Sequence, residues 1–446
     1  MQTSRQQRRA TDREILRLAV PAFGALVAEP LFLLADSAVV GRLGTEPLAG
    51  LGIAGSLLAS AVGVFVFLAY GTTAAVARRV GAGDLRAAVA DGVDGVWLAA
   101  LLGGAVAVLG FVLAVPLVGA FGASAEVADQ AVTYLRWSLP GLPAMLVVLA
   151  ATGVLRGLQD TRTPLVVAAA GAAGNAVLSV ALVHGAGLGI AGSALGTVLA
   201  QVGMAAAFLV VVVRAAVRTG ASLRPDAQGI ARVGRVGVPL LVRTLTLRAA
   251  LLVTTYVAVA QGDAALAAHQ VATVVWGLLA LALDAVAIAG QALTGRALGA
   301  GEAARARALT RRMGAWGIGA GVVLGALLLA VRGLLAPLFS PEPEVQAALT
   351  AVLVVVALAQ PLSGWVFVLD GVLIGAGDGR YLAVAGLWTL LAFVPLAALV
   401  LVAPVSGTAG LLWLWGAFAG GFMLARAVTL GLRARGDAWL VLGAAR

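Results

Sequence analysis

One carboxylate and three neutral hydrogen-bonding side chains stand out in a chain that is otherwise strongly apolar. Asp36 lies in the first long apolar run. Asn175 and Ser179 lie in the fifth, four residues apart and so one turn along one helix face. Thr197 lies in the sixth. A carboxylate with only neutral partners at membrane depth suits a proton site, or a small-cation site with oxygen ligands. Asn, Ser and Thr in membrane helices also simply bond across helices, so Asp36 is the residue that carries the site expectation. Upstream, Pro21 and Pro30 each remove a helix hydrogen bond and offer a hinge to the helix that carries Asp36. Glu29 precedes Pro30 and is seven residues from Asp36, which puts both on one helix face.

Further ionisable groups fall inside apolar runs and are secondary candidates: Asp284, Arg243, Arg248 and Asp370, with Arg136 and Arg426 beside them. Charges at membrane depth are costly and mark function by default. Acids and bases are nearly balanced, so structural pairing of Asp284 with Arg243 and Arg248 is an equal expectation.

The elements that position these residues follow from composition. Of 446 residues, 61% are hydrophobic, more than a soluble protein of this size can hide. Runs of about 20 apolar residues recur along the whole chain, enough to cross a bilayer core. We read twelve helices near 14–41, 48–77, 89–117, 126–155, 164–184, 189–213, 232–260, 265–294, 309–333, 345–373, 382–403 and 410–433. The start of the chain is basic and runs straight into the first span without a small-residue cleavage site.

The chain repeats itself. Pro21, Gly44, Phe121, Pro143 and Asp160 recur as Pro239, Gly262, Phe339, Pro361 and Asp378, and each pair is 218 apart (239 − 21 = 218). Gly81-Ala82-Gly83-Asp84 recurs as Gly299-Ala300-Gly301-Glu302. Large internal repeats in an apolar chain are how transporters build two lobes. The expectation is an all-α integral membrane protein. Two six-helix bundles, 1–213 and 232–446, would be joined by a polar linker, 214–231. Arginine sets the direction. There is no lysine, and most of the 30 basic residues fall in segments that are cytoplasmic if the N-terminus is inside, from Arg5, Arg8 and Arg9 through to Arg446. Both termini are then cytoplasmic, and Gly185 to Gly187 lie outside. Equivalent loops of both halves are basic, so each half crosses an even number of times and the pseudo-two-fold axis runs along the membrane normal. In this orientation Asp36, Asn175, Ser179 and Thr197 share one level in the outer half of the first bundle. The corresponding positions in the second half include Thr254 for Asp36 and Phe393 for Asn175, so coupling chemistry is expected in the first half alone.

Several chemistries are excluded. The chain has no cysteine, which removes disulfides, thiolate metal sites and cysteine nucleophiles. No Walker sequence, histidine pair or nucleophile elbow is present. Gly81 to Gly83 and Gly299 to Gly301 read as turns, since neither follows a strand. His184 and His269 are isolated at span edges and read as structural or solvated. The net charge of +10 does not point to nucleic acid, because the arginines sit in short loops between spans.

The residues "LAVPAFGALVAEPLFLLADSAVVGRLGTEPLAGLGIAGSLL", "LDAVAIAGQALTGRALGAG" and "FVLDGVLIGAGDGRYL" resemble the multidrug and toxic compound extrusion (MATE) family, in its DNA-damage-inducible F (DinF) branch. The resemblance covers essentially the whole chain. It implies cation-coupled antiport by alternating access in a bacterial plasma membrane, with H⁺ or Na⁺ as coupling ion and no cofactor. The partners it implies are a small organic substrate and membrane lipid, with the protein acting as a monomer. The family's first-helix acid matches Asp36, its fifth-helix asparagine Asn175 and its sixth-helix threonine Thr197, which would also be the Na⁺ ligands. Many relatives carry a second acid where this chain has Ser179, which favours H⁺. The leading expectation is export of amphipathic organic compounds. An exporter or flippase of a lipid-linked or anionic precursor is the alternative, and an integral-membrane transferase is a remote one.

Overall fold

The computed structural model describes residues 2–444. Arg446, one of the orienting arginines, lies outside the described residues, as does the side chain of Arg5. Among the described residues, twelve helices are long and apolar enough to cross a membrane: Arg8–Leu43, Thr45–Gly81, Leu85–Gly119, Ala125–Gly157, Arg162–Gly185, Gly189–Thr219, Ala227–Val259, Asp263–Gly299, Ala303–Phe339, Pro343–Gly375, Gly379–Val402 and Gly407–Arg435, numbered spans 1–12. These are the twelve runs read from the sequence. Most are longer at one or both ends, because charged and small polar residues outside the apolar core continue the helical turn.

The chain forms two compact units, Val20–Gly237 and Met1–Ala19 with Val238–Arg446, called here the first and second units. The first residues of span 1 belong with the second unit for an identifiable reason. The Asp12 carboxylate accepts from Arg312 Nε and Nη2, both at 2.6 Å, and from Trp316 Nε1 at 2.8 Å. Span 1 is helical through both Pro21 and Pro30.

Each unit uses the same close contacts. A Cβ on Gly153 would meet the backbone of Ala69, and one on Gly371 would meet the backbone of Ala287, 218 residues along at both partners. Gly103 lies against Pro143 as Gly321 lies against Pro361. Bare backbone at these crossings lets spans 2, 3 and 4 of the first unit, and 8, 9 and 10 of the second, approach closely. The turns repeat as well. Gly83 has φ 80° and Gly301 φ 77°, left-handed values that glycine adopts without strain and that end spans 2 and 8. Those glycine segments are therefore turns, as expected from the sequence.

Three helix irregularities carry no proline. Span 2 breaks at Phe65–Val66, between helical stretches Thr45–Val64 and Phe67–Gly81. Span 5 ends in a π-helical turn, Ala181–Gly185, and span 12 holds another, Gly416–Phe422. Such turns widen a helix by one residue and often lie beside functional positions.

Candidate functional site

Small residues bring the first unit's polar groups together. Gly196 on span 6 lies so close to span 5 that a Cβ there would stand 2.9 Å from Ser179 Oγ and 3.0 Å from its backbone N. One turn earlier, Gly192 lies against the backbone of Leu182 and Val183 in the π-helical turn. Further along, Gly171 of span 5 leaves space that Met204 of span 6 fills, whereas Gly174 faces open space. Spans 5 and 6 therefore meet backbone to backbone at the level of Ser179. The helix faces that carry Asn175 with Ser179, and Ser193 with Thr197, then turn toward span 1.

Asp36 sits at the meeting point, 2% exposed. Asn175 Nδ2 donates to its Oδ1 at 2.9 Å, Ser179 Oγ at 3.0 Å and Ser193 Oγ at 3.4 Å. Thr197 Oγ1 donates to its Oδ2 at 2.9 Å. The amide oxygen of Asn175 is the second hub, 3.3 Å from Ser179 Oγ and 3.4 Å from Thr197 Oγ1. Asn175, Ser179, Ser193 and Thr197 are all buried. Tyr134 of span 4, also buried, stands beside Asp36 and Thr197. Every side chain that hydrogen-bonds the carboxylate in this network is neutral.

All four residues singled out in the sequence as one set are joined here, and Ser193 and Tyr134 are added to them. Ser193 precedes Thr197 by one turn, so the spacing that paired Asn175 with Ser179 would have found it. Tyr134 had no comparable signal. Glu29 is not brought in: it is exposed while Asp36 is buried. A shared stripe of span 1 is covered by spans 5 and 6 at one level and uncovered two turns earlier.

Asp284, Arg243, Arg248, Asp370 and Arg426 lie in the second unit. Arg243 pairs with Asp370 of span 10, donating from Nε at 3.0 Å and also from Nη2. Arg426 of span 12 joins them, its Nη2 3.1 Å from Asp370 Oδ1. Asp284 and Arg248 are half-buried. His269 is buried rather than solvated, its Nε2 3.2 Å from Thr255 Oγ1 and its ring packed on Trp415. His184 is exposed. Among the described residues no group of three or more His, Cys, Asp or Glu side chains is placed to hold a metal ion.

Comparison with known proteins identifies the architecture. The MatE family model matches twice, over residues 21–181 and 239–399, the same 218-residue register at both ends (399 − 181 = 218). Protein DETOXIFICATION 44, chloroplastic, of Arabidopsis thaliana is 30% identical over 422 residues, covering 89% of this chain and 78% of that one. DNA damage-inducible protein F of Escherichia coli is 27% identical over 381 residues, covering 82% of this chain and 81% of that one. The fold matches the crystal structure of the Vibrio cholerae MATE transporter VcmN in the bent form with a TM-score of 0.85, at 22% identity over 97% of this chain and 99% of that one. The chain therefore belongs to the MatE family and is a multi-pass membrane transporter of the multidrug and toxic compound efflux type, not an enzyme.

Proposed function

We propose that this protein is a proton-coupled antiporter that exports amphipathic organic compounds across a bacterial plasma membrane, as a monomer with both termini cytoplasmic. The observation that carries the coupling site is the buried Asp36 carboxylate, held only by neutral donors on spans 5 and 6. The arginine distribution supports the orientation.

The network accommodates two protonation states. With Asp36 ionised, all four neighbours donate to it. With a proton on Oδ2, the acid donates to Thr197 Oγ1, and Thr197 turns its own proton to the Asn175 amide oxygen 3.4 Å away. One proton is thus taken up by reversing a bond, with the four partners left in reach. What changes is the charge on span 1. The ionised acid holds spans 5 and 6 by charge-assisted bonds, about twice as strong as neutral ones. Protonation loosens that hold on a helix whose Pro30 lies six residues before Asp36. The proline gives the helix a place to bend. Proton and substrate then compete through two shapes of span 1, each shifting the balance by its own differential affinity.

Asp36 is the one carboxylate among these partners, and Asn175, Ser179 and Thr197 are neutral, so the set offers little negative charge for Na⁺, which favours H⁺. The test is efflux of a panel of amphipathic compounds from proteoliposomes under proton and sodium gradients imposed separately. Efflux driven by the proton gradient alone is expected. Efflux driven only by sodium would contradict the assignment. Replacing Ser179 with Asp is expected to restore a second acid and move the preference toward sodium.

A further inference from the structure

The proton reading uses one acid of span 1 and leaves the other unused. Residues 18–41 hold no basic residue, and their only ionisable side chains are Glu29 and Asp36. Among the described residues Glu29 has neither a hydrogen bond nor an ion pair. It is exposed, whereas Asp36, seven residues on, is enclosed.

Span 1 exposes two faces, and their chemistry differs. Leu16, Val20, Phe23, Val27, Leu31 and Leu34 recur three or four apart and form one apolar stripe, exposed at every position but half-buried Val27. That stripe suits lipid tails. Glu29 is two residues from both Val27 and Leu31, roughly 200° around the helix, and so stands on the opposite face. Leu33 and Ser37 follow it one and two turns on, and both are exposed as well. Acids at membrane depth face the protein interior or a water-filled cavity, not lipid. Exposure without a protein partner leaves the cavity. The second face of span 1 therefore borders water.

The fold does not require an acid at this place. The equivalent residue of the second half is Leu247 (29 + 218 = 247), and span 7 is helical there without it. Glu29 also ties span 1 to no neighbour. Its charge is explained if a cation reaches it from the water. A small inorganic cation would need several oxygen ligands. Here one carboxylate stands alone, with Leu26 and Leu33 one turn before and after it on the same side. A single charge between apolar flanks fits a protonated or quaternary amine on an apolar body.

We infer that Glu29 binds the charged end of the exported compound and so selects organic cations over amphiphiles of the opposite charge. The inference rests on the efflux reading in making the bound cation cargo. Binding is measured without any gradient, so a protein that binds as expected yet shows no proton-driven efflux would fail that reading alone.

The test uses the full chain in nanodiscs of neutral lipid. Tetraphenylphosphonium and tetraphenylborate serve as probes of one shape and opposite charge, with uptake by empty nanodiscs subtracted. A water-soluble carbodiimide with glycine ethyl ester is expected to label Glu29 and spare Asp36, as read by mass spectrometry. Tetraphenylphosphonium should protect Glu29 from labelling, and tetraphenylborate should not. Glu29→Gln, which keeps the shape and removes the charge, should weaken tetraphenylphosphonium about tenfold and leave tetraphenylborate unweakened. Glu29→Asp should keep most of the preference for the cation. A merely structural glutamate would move both probes alike or neither. Labelling of Glu29 only by lipid-soluble dicyclohexylcarbodiimide would place it in lipid and overturn the inference. So would labelling that tetraphenylphosphonium does not reduce, or a folded Glu29→Gln protein that binds both probes as the wild type does. If Glu29→Gln does not fold, labelling and protection of the wild-type protein decide.

Discussion

The same set of positions is polar in one unit and mostly apolar, built around two aromatic rings, in the other. In the first unit, Asp36, Tyr134, Asn175, Ser179, Ser193 and Thr197 form the hydrogen-bonded cluster. Their counterparts 218 residues on are Thr254, Val352, Phe393, Ala397, Leu411 and Trp415. There Phe393 packs on Phe418 and Phe422 with ring centroids 5.9 and 5.5 Å apart, and Trp415 stands 5.8 Å from Phe418. Thr254 bonds only to its own helix, at the Ala250 carbonyl. The backbone crossings are shared, so the duplication fixed where helices touch and left the filling of the interior to each copy. One filling can take up a proton; the other is apolar packing. The second unit's ions stand elsewhere, at Arg243, Asp370 and Arg426, where the first has none.

The largest stability effect should come from the aromatic filling. Phe393→Ala opens a cavity among buried rings and is expected to cost about 3–5 kcal/mol. Asn175→Ala at the matching position should cost less, about 1–3 kcal/mol, because it removes a hydrogen-bonding group and leaves the carboxylate partly served. Thermal unfolding of the two variants in the same detergent measures the difference. The sharper contrast is functional: Asn175→Ala is expected to slow gradient-driven efflux strongly, and a folded Phe393→Ala to slow it little. Equal loss in both would erase the division of labour between the units.

A test of how the site is positioned comes next. Gly196→Ala places a methyl group within 3.0 Å of the Ser179 backbone and should push spans 5 and 6 apart, costing about 1–3 kcal/mol by overpacking. Efflux should fall with it, since Ser179 and Thr197 both lean on that contact. The smallest effect is expected from Ser193→Ala. Its bond to Asp36 is the longest of the four, 3.4 Å, and its loss should cost about 1 kcal/mol or less. A Ser193→Ala protein as inactive as Asn175→Ala would show that the four donors do not rank by geometry.

Much of this was legible in the sequence because a membrane makes polar residues conspicuous. Twelve apolar runs gave twelve spans, and the register of Pro21 with Pro239 and Asp160 with Asp378 gave the repeat. Asp36, Asn175, Ser179 and Thr197 stood out for the same reason. Ser193 was obscured by its setting of Gly189, Gly192 and Gly196, where small residues read as packing. Glu29 shows the limit of periodicity: seven residues place it on the stripe of Asp36 but say nothing of how far the neighbouring helices extend. The pairing of Arg243 with Asp370 was hidden for a related reason. Depth alone made Asp284 an equal partner, and placing Asp370 beside Arg243 requires the packing. The break at Phe65–Val66 and the π-helical turns have no proline or charge to announce them.

The account turns on whether Asp36 is where the proton acts. The direct measurement is gradient-driven efflux from proteoliposomes holding wild-type protein or Asp36→Asn, with folding verified by thermal unfolding and with Thr254→Asn at the equivalent position as control. Asparagine keeps the shape and cannot carry the proton. The account predicts that Asp36→Asn loses efflux under an imposed proton gradient while remaining folded, and that Thr254→Asn keeps it. Wild-type efflux by Asp36→Asn under the same gradient would make the carboxylate structural and move the coupling site elsewhere in the chain.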